Sequence, residues 1–247
     1  MRLYKPIQLL ALAALICKAS IAAGAESGQG IVSGIMRLAG SPSVVSAVKP
    51  QMDSEGYGSR AQTVQSLLLG TNQAVREAIV YLAEVAVNSA NHETNNVAIL
   101  DQRDGGFVPR IQIARGGAPL ILRNSDPILH VVRIDAMSST NNSRTLLKTA
   151  TPYAGYEKKY QLANFGEPTL LRVTSGNGQD WMAAYIAVMP HPWAALTDEN
   201  GRFVLRNVPA GKHRIYAWHE VLGTLVREVQ ISGARTGTVD FQFTSGR

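Results

Sequence analysis

The chain has 247 residues, 24 Lys and Arg against 18 Asp and Glu, a formal charge of +6 at pH 7, and one cysteine, Cys17. The basic excess is mild and scattered, which gives no footprint for nucleic acid, and a lone cysteine allows no internal disulfide.

At the N-terminus, Arg2 and Lys5 precede the apolar run Leu9–Cys17, and small residues follow up to Ala23-Gly24-Ala25. This pattern predicts a secretory signal peptide over residues 1–25, cut before Glu26. The apolar run is well short of the ~20 residues a membrane-spanning helix needs, and no later stretch reaches that length. Ile16 before Cys17 argues against a lipoprotein. Arg2, Lys5 and Lys18 leave with the segment and no acid does, so +6 becomes +3. The mature chain then has no thiol for catalysis, cross-linking or metal binding. It is expected in the periplasm or the medium, with no integral membrane segment, no nucleic-acid partner, and a periplasmic or secreted partner that the residues do not identify.

Past Glu26, Ile31–Leu38 reads as a strand, Ser41–Gly58 as a mobile insertion, and Ala61–Leu69 as a short helix. Glu77–Val87 is β-rich in its middle and Asn88–Asn96 is a polar loop. A strand-and-turn series then follows: Val97–Leu100, a turn at Asp104-Gly105-Gly106, and Arg110–Arg115, which alternates polar and apolar residues as a half-buried strand does. Gly116-Gly117 turns the chain into Pro119–Asn124. Leu129–Ile134, Thr169–Thr174 and Ala183–Met189 continue the series. Asp198-Glu199-Asn200-Gly201 reads as a hairpin turn into Arg202–Leu205, and Lys212–Trp218, Leu225–Ile231 and Thr238–Phe243 close it. The predicted fold class is all-β, with two β-sandwich units and Greek-key connections.

Two stretches carry a family likeness. Asp101-Gln102-Arg103, Phe107-Val108-Pro109-Arg110, Gly116-Gly117 and Asn124-Ser125-Asp126-Pro127-Ile128-Leu129-His130 resemble the first half of plastocyanin-like cupredoxin domains, in the form found in exported bacterial methylamine-utilisation-like proteins. The resemblance implies that His130 matches a copper-ligating histidine and Met182 the weak axial methionine. The family's other ligands lie in a Cys-x-x-His-Pro-Trp-Met run, whose place is taken here by Thr174–Tyr185. Gly176 stands at the cysteine, Gln179 at the second histidine and Asp180 at the proline. Arg110 replaces a histidine common after Phe-x-Pro. A blue-copper site requires two imidazoles and a thiolate, so His130 and Met182 read as the remnants of a copper site, and the expected cofactor is none. The alternative is a copper-binding or electron-transfer protein with a site rebuilt around His130, Met182 and nearby histidines.

Thr197–Phe203 with Asn207-Val208-Pro209-Ala210-Gly211-Lys212-His213 resembles a carboxypeptidase-regulatory-like, transthyretin-like sandwich, and Gly30–Gly34 and Glu77–Leu82 resemble its opening strands. The resemblance places the first part of that sandwich at residues 26–95, the cupredoxin-like domain at 96–190, and the second part at 191–247. The segment Trp218-His219-Glu220 is shared with the same proteins.

Each singled-out residue has a structural reading beside the functional one. His130 serves as a ligand or holds its own turn. Met182 is an axial ligand or core filler beside Trp181, since methionine packs adaptively against rings. His191, His219 and Glu220 join His130 in a sulfur-free site or are separate. Asp126 and Asp180 accept loop hydrogen bonds, Asn177-Gly178 makes a tight turn, and Trp193 and Trp218 anchor a core or an interface. No Gly-x-Ser-x-Gly elbow, H-E-x-x-H or phosphate loop occurs. The expectation is a non-catalytic exported binding or assembly module, not an enzyme.

Overall fold

In a computed structural model, the described residues are 28–40, 67–83, 85, 97–137, 143–179, 181–233 and 235–244. The proposed signal segment, the Ser41–Gly58 insertion, most of Ala61–Leu69, the Asn88–Asn96 loop and Asp180 lie outside them. Among the described residues no helix is long and apolar enough to cross a membrane.

The chain is all-β and builds two sandwiches. The first opens with β1 (Gln29–Ala39), in which Val32, Met36 and Leu38 alternate inward with half-exposed neighbours, the two-residue period of a strand with one face on a core. It pairs antiparallel with β13 (Arg202–Pro209) and parallel with β16 (Thr236–Thr238) and β17 (Phe241–Thr244). Gly34 faces the Val239 carbonyl so closely that a Cβ there would lie 1.8 Å from that oxygen. The facing sheet runs β12 (Ala194–Leu196), β2 (Ile79–Ala83), β14 (Gly211–His219), β15 (Gly223–Ile231). Met36, Leu82, Trp193, Phe203, Ile215, Phe241 and Phe243 fill the space between, each apolar side chain contributing about 1.5–3 kcal/mol on burial.

The second sandwich pairs β5 (Ile111–Arg115), β11 (Ala183–Met189), β10 (Thr169–Ser175), β7 (His130–Ala136) and β8 (Arg144–Thr151) in one sheet. The other runs β4 (Gly106–Val108), β3 (Ala98–Arg103), β6 (Pro119–Asn124), β9 (Tyr156–Gln161). β3 lies parallel to β6, and β5 parallel to β11, the remaining pairs being antiparallel. Among the described residues, strands β3 to β11 pair only with one another, so the chain leaves the first sandwich after β2 and returns to it at β12. The core contains Leu100, Leu120, Leu122, Ile134, Leu171, Met182 and Ile186.

A third apolar cluster joins the two units. Ile111, Ala187 and Met189, on the outer face of β5 and β11, pack against Ile79 and Trp218 of β2 and β14. Tyr185 meets Trp218 edge-on, with centroids 5.0 Å apart.

One turn reading is corrected. Asp198–Gly201 does form a tight turn, with Asp198 Oδ1 accepting the N–H groups of Asn200 and Arg202 at 2.8 Å each. It is not a hairpin, because β12 pairs with β2 and β13 with β1, in different sheets. Turn chemistry fixes a local reversal, whereas the partner of each flanking strand is set by the core it covers.

Candidate functional site

At one end of the second sandwich, the turn between β6 and β7 is held by its own side chains. Asn124, fully buried, donates from Nδ2 to the carbonyls of Ile128 and Thr151 at 2.8 Å each. Its Oδ1 accepts the Asp126 N–H at 2.9 Å, the Asx geometry that makes asparagine a turn former. Asp126 accepts the backbone N–H of Asp104 at 2.7 Å and of Gly105 at 3.1 Å, tying this turn to the β3–β4 turn.

His130, 0% exposed, sits directly behind. Its Nε2 lies 2.9 Å from Asp126 Oδ2 and its Nδ1 3.4 Å from Gln179 Oε1. An ionised carboxylate only accepts, so Nε2 carries the proton. The Gln179 amide oxygen packs against the other nitrogen and is itself reached by the Ser175 hydroxyl at 3.0 Å. Burial pushes the Asp126 carboxyl up in pKa, but the hydrogen bonds from His130, Gly105 and Asp104 and the His130 charge outweigh it and hold the group below the usual carboxylate range. Below the histidine, Thr151 donates to Gln102 Oε1 at 2.5 Å.

The other resemblance-derived positions surround this pair. Met182 is 1% exposed and belongs to the apolar core, with Trp181 packed against it. Its N–H donates to the Gln179 carbonyl at 2.9 Å. Gly176 donates its N–H to the Val131 carbonyl at 2.7 Å, and a Cβ added there would lie 2.6 Å from Val131 Cγ1. The place where the resemblance puts a cysteine is closed against any side chain unless Val131 moves. Asn177-Gly178 is a tight turn, with Gly178 at φ +87°.

Neither His191 nor His219 joins His130. His191 donates from Nε2 to the Leu82 carbonyl at 3.0 Å. His219 accepts the Val221 N–H on Nδ1 at 3.2 Å and leaves Nε2 buried with no partner among the described residues. Burial, then the Arg110 charge, lowers the His219 pKa to about 4. Glu220 is taken by Arg110, which also donates to Glu77 at 3.1 Å. Arg110, read in the sequence only as a departure from a family histidine, thus clamps two acids of the first sandwich beside the joining cluster. No local pattern signals this, because its partners lie 33 and 110 residues away. Trp193 belongs to the first core and Trp218 to the joining cluster. Among the described residues no three His, Cys, Asp or Glu side chains converge as a metal site.

No protein-family model and no curated protein matches the chain. Among solved structures, it is similar to a purple cupredoxin from Nitrosopumilus maritimus, with 13% identity, a TM-score of 0.30, and coverage of 37% of this chain and 98% of that one. A copper-containing nitrite reductase from Thermus scotoductus SA-01 matches with 11% identity and a TM-score of 0.30, over 42% of this chain and 25% of that one. A reduced Cu(I) amicyanin mutant matches with 8% identity and a TM-score of 0.30, over 44% of this chain and 97% of that one. The class defined by the chain's own geometry is an all-β protein of two joined sandwiches, with a buried, hydrogen-bonded histidine at one end.

Proposed function

We propose that the chain is an exported, non-catalytic binding module, in which a cupredoxin-like sandwich with a closed ligand loop is carried on a carboxypeptidase-regulatory-like sandwich. The observation that carries this reading is the commitment of His130 Nε2 to the buried Asp126 carboxylate, with the Gln179 amide oxygen packed against Nδ1. A metal ligand must present a ring nitrogen's lone pair to the ion. Here one nitrogen is committed as a donor to a buried carboxylate and the other is covered by an amide. The donor set does not fit blue copper: one imidazole and a core methionine stand where two imidazoles, a thiolate and a methionine are required. Gly176, packed against Val131, has no room for the missing thiolate. Asp126, held by Asn124 and by the Asp104 and Gly105 N–H groups, bonds His130 as a structural group that locks two turns together. The long excursion β3–β11 between β2 and β12 supports an insertion of one module into another.

The test is titration of the purified mature protein with Cu(I), Cu(II) and Zn(II), for wild type, His130→Ala and Met182→Ala. The expected result is no sub-micromolar binding that depends on either residue. Stoichiometric sub-micromolar binding abolished by His130→Ala overturns the reading and establishes the copper-handling alternative. N-terminal sequencing of the protein recovered from the periplasm or medium is expected to begin at Glu26; retention of residues 1–25 would overturn the export reading.

A further inference from the structure

Where the two sandwiches meet, beside the joining cluster, a cleft of about 310 Å³ opens, at the small end of the range for ligand sites. Tyr81 and Tyr216 are directly paired across β2 and β14, and their rings stack with centroids 5.4 Å apart and planes 20° from parallel. Glu167 and Pro168, from the loop before β10, line it from the second sandwich, and Pro190 and His191, from the return into the first, line it as well.

The chemistry of this lining has one sign. Among the described residues Glu167 is the one charged side chain of this lining, and its carboxylate enters no salt bridge among them. His191 donates its Nε2–H to Leu82, which leaves Nδ1 as a buried lone pair with no partner among the described residues; burial, together with the nearby Arg115 charge and against the hydrogen bond to Leu82, lowers its pKa. The neighbouring cation, Arg115, does not line the space and donates to the Pro190 carbonyl at 3.2 Å. Burial, reinforced by Tyr216, pushes the Tyr81 pKa up to about 12, so its hydroxyl stays neutral. The space therefore offers tyrosine ring surface, the two rings lying stacked on one another, beside a carboxylate with no salt bridge, and no cation lines it among the described residues. Aromatic faces beside a carboxylate attract alkylated ammonium groups, whose charge is diffuse and weakly hydrated.

We propose that this cleft binds an alkylammonium group, quaternary or protonated, with Tyr81 and Tyr216 presenting their rings to it and Glu167 neutralising its charge. Binding as the role of the cleft rests on the module reading above, but the site is separate from His130. A space of about 310 Å³ takes a small cationic head rather than a folded partner. Such a head occurs both on free small molecules and on zwitterionic lipids.

The experiment uses the full mature chain, with choline and tetramethylammonium as probes and 3,3-dimethyl-1-butanol as the neutral shape-match of choline. Binding is read by calorimetry and by ligand-observed NMR, for wild type, Glu167→Gln and Tyr216→Leu. Both cations are expected to bind, with the neutral analogue about tenfold weaker. Glu167→Gln, a change at an exposed position, is expected to weaken choline several-fold, and Tyr216→Leu to abolish binding. Flotation with phosphatidylcholine vesicles, lost in Glu167→Gln, assigns a lipid headgroup; binding of free choline without flotation assigns a soluble ligand. Equal binding of the neutral analogue, indifference to Glu167→Gln, or no choline binding at tens of millimolar overturns the proposal. Such a failure leaves the module reading standing, whereas copper binding abolished by His130→Ala overturns that reading whatever the ammonium probes do.

Discussion

Replacing Asp126 with Asn tests the account of the His130 end most directly, because it keeps the shape and removes the charge. In the native turn Asp126 Oδ1 accepts one N–H, from Asp104, and Oδ2 accepts two donors, Gly105 N–H and His130 Nε2–H. An asparagine satisfies the greater number by placing its oxygen at the Oδ2 position. Its NH2 then faces the Asp104 N–H, which loses its acceptor, and the other two bonds weaken from charge-assisted to neutral. Hydrogen bonds to charged groups are worth about 1.5–3 kcal/mol and neutral ones about 1. The expected destabilisation at pH 7 is therefore about 3 kcal/mol. The sign of its pH dependence follows from the depressed carboxyl pKa. A lowered native pKa means that the unfolded chain takes up the proton first, so the stabilisation is complete above about pH 4 and is lost as pH falls through the native value. Asparagine does not titrate there. Urea unfolding followed by the fluorescence of Trp181, Trp193 and Trp218 should show the gap between wild type and variant narrowing as pH drops from 5 to 3. A gap of the same size at pH 7 and pH 3, or one below about 0.5 kcal/mol at pH 7, would refute the argument that Asp126 locks these turns as a carboxylate.

Two further outcomes are expected. The native His219 pKa near 4 against an ordinary 6.5 means that the unfolded chain gains a proton before the folded one, so His219 favours folding fully above about pH 6.5, and up to about 3 kcal/mol is lost as pH falls toward 4; in His219→Gln this component of the slope between pH 4 and 6.5 should vanish, and an unchanged slope would show that the buried imidazole is not its source. Gly34→Ala forces a Cβ to within 1.8 Å of the Val239 carbonyl and should cost at least about 2 kcal/mol by thermal or urea unfolding; Gly106→Ala, where the nearest atom is 3.8 Å away, should stay within about 1 kcal/mol, and equal effects would show that the close approach of β1 to Val239 is not rigid.

What was legible in the sequence is what local physics writes there. Arg202–Leu205 alternates along the chain because it covers a core with one face, and that period survives translation into one dimension. The Asn124–His130 turn was legible through the family resemblance, and it is built locally: Asn124 bonds Asp126 and Asp126 bonds His130, all within a few residues. Strands β8 and β9 were not read, because they are edge strands, largely exposed, and carry no apolar alternation. Their conformation is imposed by pairing with β7 and β6. The fate of His130 was also only half written. The sequence supplied the missing cysteine and second histidine, but not that Gln179, 49 residues on, would cover Nδ1, nor that Val131 would close over Gly176. Neither the sheet-switching at Asp198–Gly201, nor the Arg110 clamp on Glu77 and Glu220, nor the Tyr81–Tyr216 pair across 135 residues of chain leaves a periodic or spaced signal. The residue pattern determined that this chain makes strands and which faces they bury; only the tertiary structure decided which strands are neighbours, because pairing is settled by the competition of whole faces for two cores and for the apolar seam between them.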